Sequence, residues 1–333
     1  MSASTVATTS RRLRVAVTGS SGMLGRALIA SLSVPSAANG HRPEVLRLVR
    51  RPPTQPDEVW WDPSLQRLDL QRLEGLDAIF HLAGENIGSG DSFLSSITGR
   101  WTPRKQHLII ESRRKGTLLL AKAIAALRVK PRVLVSASGL GFYGDHGNDV
   151  ITEVTPPSTT PSFLADVAKV WEESTAPASA AGVRVVHARL AMVLSASGGA
   201  LARLHLPFSL GLGGRIGAGT QWVPWIALDD AVRALEHCAR DDRVVGAVNV
   251  CAPTPCRSSE FTAAVAKCLH RPHLLPLPEF VIRAAFGPMG VETLLVSQRA
   301  VPNRLVETGF SFHHADIGDG VEAALHGAAR GVA

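Results

Sequence analysis

The residues with the clearest chemical potential begin at Thr18-Gly19-Ser20-Ser21-Gly22-Met23-Leu24-Gly25. Three evenly spaced glycines follow the run Val15-Ala16-Val17-Thr18 and pass into Leu24, Leu28 and Leu32 at helical spacing. That order predicts a strand, a turn and a helix whose positive N-terminus receives the phosphates of a dinucleotide. Gly19 permits the tight turn, Gly22 removes the Cβ that would keep a pyrophosphate off the backbone, and Gly25 lets the helix lie close to the strand. Ser20, Ser21, Met23 and Leu24 complete this expected cofactor loop; a turn that merely joins strand to helix is the competing reading. Farther along, Glu44-Val45-Leu46-Arg47-Leu48-Val49 runs into Arg50-Arg51-Pro52. A site for NAD usually places an acid near this strand end to bind ribose hydroxyls. Two guanidiniums there match a 2′-phosphate in charge and fork geometry, which favours NADP(H), with a solvated basic loop as the alternative.

Holding such a site requires a parallel sheet, and the chain supplies its strands in order. Val59-Trp60-Trp61-Asp62-Pro63 reads as a short third strand and turn, followed by a polar, helix-like stretch to Leu73. Asp77-Ala78-Ile79-Phe80-His81-Leu82-Ala83-Gly84 reads as a buried strand ending in small residues, and the stretch from Ser112 to Ala123 has helical periodicity. Pro131-Arg132-Val133-Leu134-Val135-Ser136-Ala137-Ser138 is the fifth strand and the run from Val183 to Leu190 the sixth. Arg189 falls at the C-terminal end of that sixth strand, where open α/β sheets gather ligand groups. It suits a substrate carboxylate or phosphate, or else a salt bridge to Asp229 or Asp230. The glycines between Gly211 and Gly219 suggest a mobile loop able to close over a substrate, or a plain surface loop. Asn86, Trp101 and Trp225 are candidates to line the pocket, although tryptophans more often sit in cores.

Composition bounds these expectations. The 333 residues are 45% hydrophobic and 19% charged, enough for one large α/β domain and a smaller lobe. The boundaries expected are 12–250 for the nucleotide-binding domain and 251–333 for the segment completing the substrate lobe. A net charge of +7 and a pI near 9.7 favour a small anionic substrate. The excess is spread along the chain, so nucleic acid is a minor expectation, an RNA-binding derivative of the fold being motivated by the pI alone. Four late cysteines without a Cys-x-x-Cys pair suggest a reducing compartment. No apolar run is long enough for a membrane helix. Met1 to Arg12, Ser/Thr-rich and without acids, could be a short mitochondrial address, with a cytoplasmic location the default. The histidines show no ligand spacing, His313-His314 being a lone adjacent pair, and no metal is expected. A monomer or homodimer is expected.

Taken together, these motifs resemble the extended short-chain dehydrogenase/reductases. Gly-x-x-Gly-x-x-Gly after Thr18 resembles their nucleotide loop. Leu82-Ala83-Gly84 resembles the strand end that passes beneath the cofactor, where larger side chains would collide with ribose and nicotinamide. The helix carrying Ser112-Arg113-Arg114-Lys115-Gly116-Thr117 resembles their Asn-x-x-Gly-Thr-x-x-Leu helix, with Arg113 standing where Asn is usual. An arginine there can reach cofactor or substrate oxygens but cannot accept hydrogen bonds. Gly84-Glu85-Asn86-Ile87, Arg100-Trp101, Phe142-Tyr143-Gly144, Trp171-Glu172, Gly198-Gly199-Ala200-Leu201, the block from Leu206 to Asp230 and the segment from Leu274 to Phe312 narrow the likeness. They point to an atypical, epimerase-like branch, some of whose members have carried a cell-division-inhibitor label. The resemblance implies a Rossmann-type α/β fold, a doubly wound and mostly parallel sheet with a smaller C-terminal substrate lobe.

The resemblance also implies chemistry that this chain only partly retains. The family's Tyr-x-x-x-Lys pair handles the proton and steadies the nicotinamide ribose. Here the single tyrosine, Tyr143, is followed four positions on by Gly147, and Lys169 is preceded four positions back by Ala165. Three readings stay open. In the first, Tyr143 and Ser138 transfer the proton, with Lys169 or Arg113 supplying positive charge. A substrate could instead provide its own acidic proton. Or the chain binds NADPH without turnover, as a regulatory or scaffold protein. Tyr143 could equally be a packed aromatic with its hydroxyl bonded to backbone.

Overall fold

The computed structural model describes residues 12–35, 40–89 and 99–326, so all of the N-terminal stretch except Arg12 lies outside it. Eight strands form the central sheet: β1 (Arg14–Thr18), β2 (Glu44–Val49), β3 (Glu58–Asp62), β4 (Arg67–Leu68), β5 (Ala78–His81), β6 (Val133–Gly139), β7 (Arg184–Leu190) and β8 (Gly246–Val250). Their spatial order is β8-β7-β6-β5-β1-β2-β3-β4. Every neighbouring pair is parallel except β3 and β4. Chain order therefore reverses between β1 and β5, the switch point at which open α/β sheets bind ligands.

Alternation along the strands builds two apolar layers. Val15, Val17, Phe80 and Val135 pack on one face, against helices α1 (Met23–Leu32) and, farther along the chain, the helix of residues 228–240. Ala16, Ile79 and Leu134 pack on the other, against α2 (Pro103–Ala126). Thr102 caps α2 by accepting from the Lys105 amide, and Ser162 caps α3 (Phe163–Glu173) by accepting from the Ala165 amide. The helix-like stretch expected to Leu73 is instead β4, which returns antiparallel to β3 through a left-handed Gln66 (φ 52°), followed by a single 3-10 turn at Gln71–Leu73. Arg67 stacks 3.8 Å over the Trp60 ring and so favours the hairpin.

The smaller lobe contains α4 (Gly199–Ser209), α5 (Leu228–Arg240) at its border, α6 (Ser258–Cys268), α7 (Glu279–Gly290) and α8 (Ile317–His326). Its core joins Leu194, Leu201, Phe208 and Trp225 to Phe261, Val265 and Val321, so the lobe draws on residues both before and after position 251. The glycine segment at 211–219 is fixed to the lobe instead of standing free as a lid. Leu277 N donates to Arg215 O at 2.8 Å, Gly217 N to Leu277 O at 2.9 Å, and a Cβ on Gly214 would fall 2.0 Å from Leu275 O.

Candidate functional site

The glycine turn sits at the switch point. Gly19 has φ +67°, and a Cβ there would meet the Leu82 carbonyl carbon at 2.8 Å, so this turn is pressed against the end of β5. Gly25 allows another close approach, because its Cβ would lie 2.2 Å from Gly19 O. Gly22 is exposed and serves as N-cap of α1 with no side-chain cap and no acid in the first turn. The leading amides of α1 are thus available to an anion. Met23 packs beneath Gly198, whose Cβ would lie 3.4 Å from its sulfur, while Leu24 joins the sheet core.

Below the turn runs a buried polar chain. Thr18 Oγ1 accepts from Leu82 N (3.1 Å) and Ala83 N (3.2 Å) and lies 2.8 Å from His81 Nδ1. With both lone pairs engaged, Thr18 donates its proton to Nδ1, so His81 carries its own proton on Nε2, facing Thr117 Oγ1 at 2.9 Å. Burial, and then the charge of Arg113, push this imidazole down to about 3, so it is neutral at physiological pH. The loop after β5 is held by α2. Lys105 Nζ, fully buried, donates to Glu85 Oε1 (2.5 Å) and Ser89 Oγ (3.1 Å), and Ser112 Oγ accepts from Glu85 N. Arg113 Nη1 donates to Glu85 O (3.0 Å) and Ile109 O (3.1 Å), and its guanidinium lies 4.5 Å from the centre of the Trp171 ring. A Cβ on Gly84 would come 3.1 Å from Arg113 Cζ. Burial lowers Arg113 to about 10, which leaves it charged at neutral pH. Its Nε is a buried donor with no acceptor. That orphan, with the uncapped start of α1, fits a polar dinucleotide lying across this edge.

The two arginines after β2 are not equivalent. Arg51 forks onto Glu58 (Nη1–Oε2 2.8 Å, Nη2–Oε1 2.6 Å), and Thr54 donates to the same carboxylate through N and Oγ1. The Glu58 carboxyl is held down near 2, first by Arg51. Arg50 is exposed and makes no hydrogen bond or ion pair among the described residues. Asp62 is held below the ordinary range first by the Ser64 hydroxyl, with the charge of Arg50 contributing.

Beyond β5 lies a network centred on Glu172, which sequence reasoning did not place in the site. Ser138 Oγ donates to Glu172 Oε1 at 2.8 Å, and Arg189 forks onto the same carboxylate through Nε and Nη2, both at 2.8 Å. Arg189 Nη1 donates to the Tyr143 hydroxyl (2.8 Å), which donates to Asn249 Oδ1 (2.7 Å). Arg189 is therefore paired with Glu172 and with neither Asp229 nor Asp230, and its fork is not open to a substrate anion. Tyr143 is fully buried and burial pushes its phenol up to about 12. Its proton is committed to Asn249, which places the tyrosine as a packed aromatic and not as an accessible proton donor. Lys169 is exposed and, although it stands one turn before Glu172 in α3, takes no part in the hydrogen bonds of this network.

Two further expectations are corrected. Trp225 is 1% exposed, and a Cβ on Gly320 would lie 2.2 Å from its ring, so it packs in the lobe core and is not among the residues lining the cleft at the end of β6. Asn86 is exposed and closes its own turn, Oδ1 accepting from Gly88 N at 2.9 Å. A cleft of about 840 Å³ opens instead between the end of β6 and the lobe, with Gly141, Gly144, Ser162, Arg257, Arg283 and Glu292 among its lining residues. Glu292 reaches across it to cap α3, accepting from Ser162 Oγ (2.8 Å), Phe163 N (3.1 Å) and Leu164 N (2.8 Å). Asp229, Asp230 and His313 form one polar group that the sequence did not suggest. Asp230 is satisfied by Arg233 and by the His313 and His314 amides, so its role there is to hold that segment.

A signal for Lys105 and Arg113 was present. Lys105, Ile109, Arg113, Gly116 and Leu120 form the buried stripe of α2, and two cations on the apolar face of a helix mark a site. No spacing rule ties Glu172 to Arg189 or Glu58 to Arg51, since the first pair is made by a helix packing on the sheet and the second by a loop folding back on its strand.

Comparison with known proteins agrees with this architecture. Residues 15–251 match the NAD dependent epimerase/dehydratase family, and residues 277–324 match a domain of unknown function, DUF1731. The chain is 39% identical over 319 residues to the epimerase family protein ML0860 of Mycobacterium leprae, covering 96% of this chain and 98% of that protein. It is 34% identical over 306 residues to the human epimerase family protein SDR39U1, covering 92% and 97%. A crystal structure of the human protein (isoform 2) with NADPH superposes with a TM-score of 0.81 at 32% identity, covering 94% of this chain and 99% of that one. The relatives, the two matched segments and the glycine turn at the β1/β5 switch point agree: this chain belongs to the NAD dependent epimerase/dehydratase family, as an epimerase family protein with a C-terminal DUF1731 domain.

Proposed function

We propose that the chain binds NADP(H) over the ends of β1, β2 and β5, and that it is an oxidoreductase or epimerase-like enzyme acting on a small molecule in the cleft beside Gly141 and Gly144. The observation that carries this reading is the start of α1, exposed at Gly22 and capped by no side chain. With the diphosphate at that helix start and Arg50 at the end of β2 taking the 2′-phosphate, the other half of the dinucleotide runs toward β5 and β6. Leu82, Ala83, Gly84 and Arg113 hold that half, and Arg51, fixed by Glu58, braces the loop that presents Arg50. Bound there, the cofactor supplies or accepts hydride. Arg257 is the cleft's candidate to receive an anionic group of a substrate, since Arg283 is already paired with Glu279. The crystallisation of the human relative with NADPH supports the choice of cofactor.

Calorimetric titration with NADPH and NADH tests the reading. Arg50→Ala should weaken NADPH about 10- to 100-fold, the loss of a charge-assisted phosphate contact, and leave NADH nearly unchanged. Equal weakening of both would remove Arg50 from cofactor choice.

A second reading, a catalytically quiet NADPH-binding regulatory or scaffold protein, is favoured by the enclosure of the Tyr143 hydroxyl between Asn249 and Arg189. Transfer of deuterium from 4-deuterated NADPH to any member of a panel of carbonyl compounds and nucleotide sugars decides for the enzyme. Its absence throughout the panel, with NADPH bound, supports the quiet protein.

A further inference from the structure

We propose that Arg113 makes the site discriminate between the redox states of its cofactor, so that the reduced dinucleotide binds more tightly than the oxidised one. The inference rests on the NADP(H) reading above and concerns which form of that cofactor the protein holds.

The argument begins with charge. Lys105 and Arg113 lie on one buried stripe of α2, and Glu85 is the acid between them. The Glu85 carboxylate is bound to Lys105 Nζ at 2.5 Å, whereas the hydrogen-bond partners of Arg113 are two neutral carbonyl oxygens, Glu85 O and Ile109 O. Two cations thus share one carboxylate, and the excess charge resides on Arg113. Glu172, which follows Trp171 in α3, is already forked by Arg189 and so is committed elsewhere. His81, which the field of Arg113 also reaches, is neutral and offers no compensation.

Position completes the argument. The guanidinium lies against Gly84, where a Cβ would meet Cζ at 3.1 Å, Nη2 at 3.3 Å and Nη1 at 3.4 Å. Glycine at this position lets the cation lie directly beneath the end of β5, the end toward which the nicotinamide half runs. The unpartnered Nε marks Arg113 as only partly satisfied by the protein itself. Oxidised nicotinamide carries a positive ring and reduced nicotinamide a neutral one. The adenosine, the diphosphate and the 2′-phosphate are common to both, so their contacts cancel in the ratio of affinities. What remains is repulsion between a buried guanidinium and the oxidised ring, on the order of tenfold in affinity for charges roughly 10 Å apart in a protein-like medium.

The test is titration of the full chain with NADPH and with NADP+ at low and at high salt. NADPH should bind about tenfold more tightly, and the ratio should persist at high salt because a buried charge is weakly screened. Arg113→Gln should bring the ratio toward one, while Arg113→Lys should keep it. Equal affinities in the unmodified protein overturn the proposal without need of any variant, and so does an unchanged ratio in a folded Arg113→Gln. Failure of both dinucleotides to bind would bring down the cofactor reading itself, an outcome distinct from equal binding.

Discussion

Tyr143 and Glu172 show how partners alter the meaning of a residue. Tyr143 is the residue that a family likeness would select as proton donor, yet its hydroxyl is closed between Arg189 and Asn249. Tyr143→Phe should lower the unfolding free energy by about 1–3 kcal/mol, because two buried polar groups lose a partner. NADPH affinity should stay within about twofold, a difference too small to register a lost contact. Urea unfolding and calorimetry on one preparation check both, and a loss of affinity without loss of stability would place the phenol in the pocket. Glu172→Gln should cost more, about 3–5 kcal/mol, since the buried fork of Arg189 is left uncompensated. At this scale the sequence was informative about residue types and poor about partners. The glycines and Arg50 stood out by spacing and by a strand end, and Arg113 by its departure from the helix motif that the chain resembles. The pairings Glu172–Arg189 and Glu58–Arg51 did not, because one depends on how a helix packs on the sheet and the other on how a loop folds back.

Among the elements, the turn from β1 into α1 carries the most specific local geometry. Gly22 and Gly25 are both bare, for different reasons. A Cβ on Gly22 would lie 3.2 Å from Gly19 O, a tight contact that a small shift relieves, and Gly22 has an ordinary extended backbone (φ −71°). A Cβ on Gly25 would lie 2.2 Å from the same oxygen and 2.9 Å from the carbonyl carbon, so α1 must move off the turn. Gly22→Ala should therefore unfold near the unmodified midpoint and bind NADPH more weakly. Gly25→Ala should lose about 1–3 kcal/mol as well as affinity. Thermal melts with and without NADPH distinguish the two; identical behaviour would mean that the turn adapts as a unit. The parallel strands were legible because runs such as Val133-Leu134-Val135 are apolar on both faces. The β4 hairpin and the fixed 211–219 segment were not, because each is decided by a partner, Trp60 for one and residues 275–277 for the other.

For the molecule as a whole, one buried and two half-buried histidines predict how stability responds to pH. Burial lowers His81 to about 3 and also lowers His187 and His237, so each resists protonation in the folded state. Above about pH 6.5 the imidazole is neutral in both states and the fold gains nothing from this linkage. As pH falls below that value the unfolded chain takes up protons that the folded chain refuses. Stability must therefore fall with pH, by up to about 1.4 kcal/mol per pH unit from His81 until its folded-state value is reached, with His187 and His237 acting in the same direction. For His81 the window extends from about 6.5 down to about 3. The lowered carboxyls, Glu58 and Glu111 near 2 among them, act in the same direction but only below the ordinary carboxyl range. Between pH 6.5 and about 4.5 the slope thus belongs to the histidines. Urea midpoints measured across that interval should decline steadily, and His81→Gln should flatten the decline whatever it does to stability at pH 7. An unchanged slope in that variant would mean that His81 gains its proton in the folded state, and would reverse the hydrogen-bond direction assigned between Thr18 and its ring.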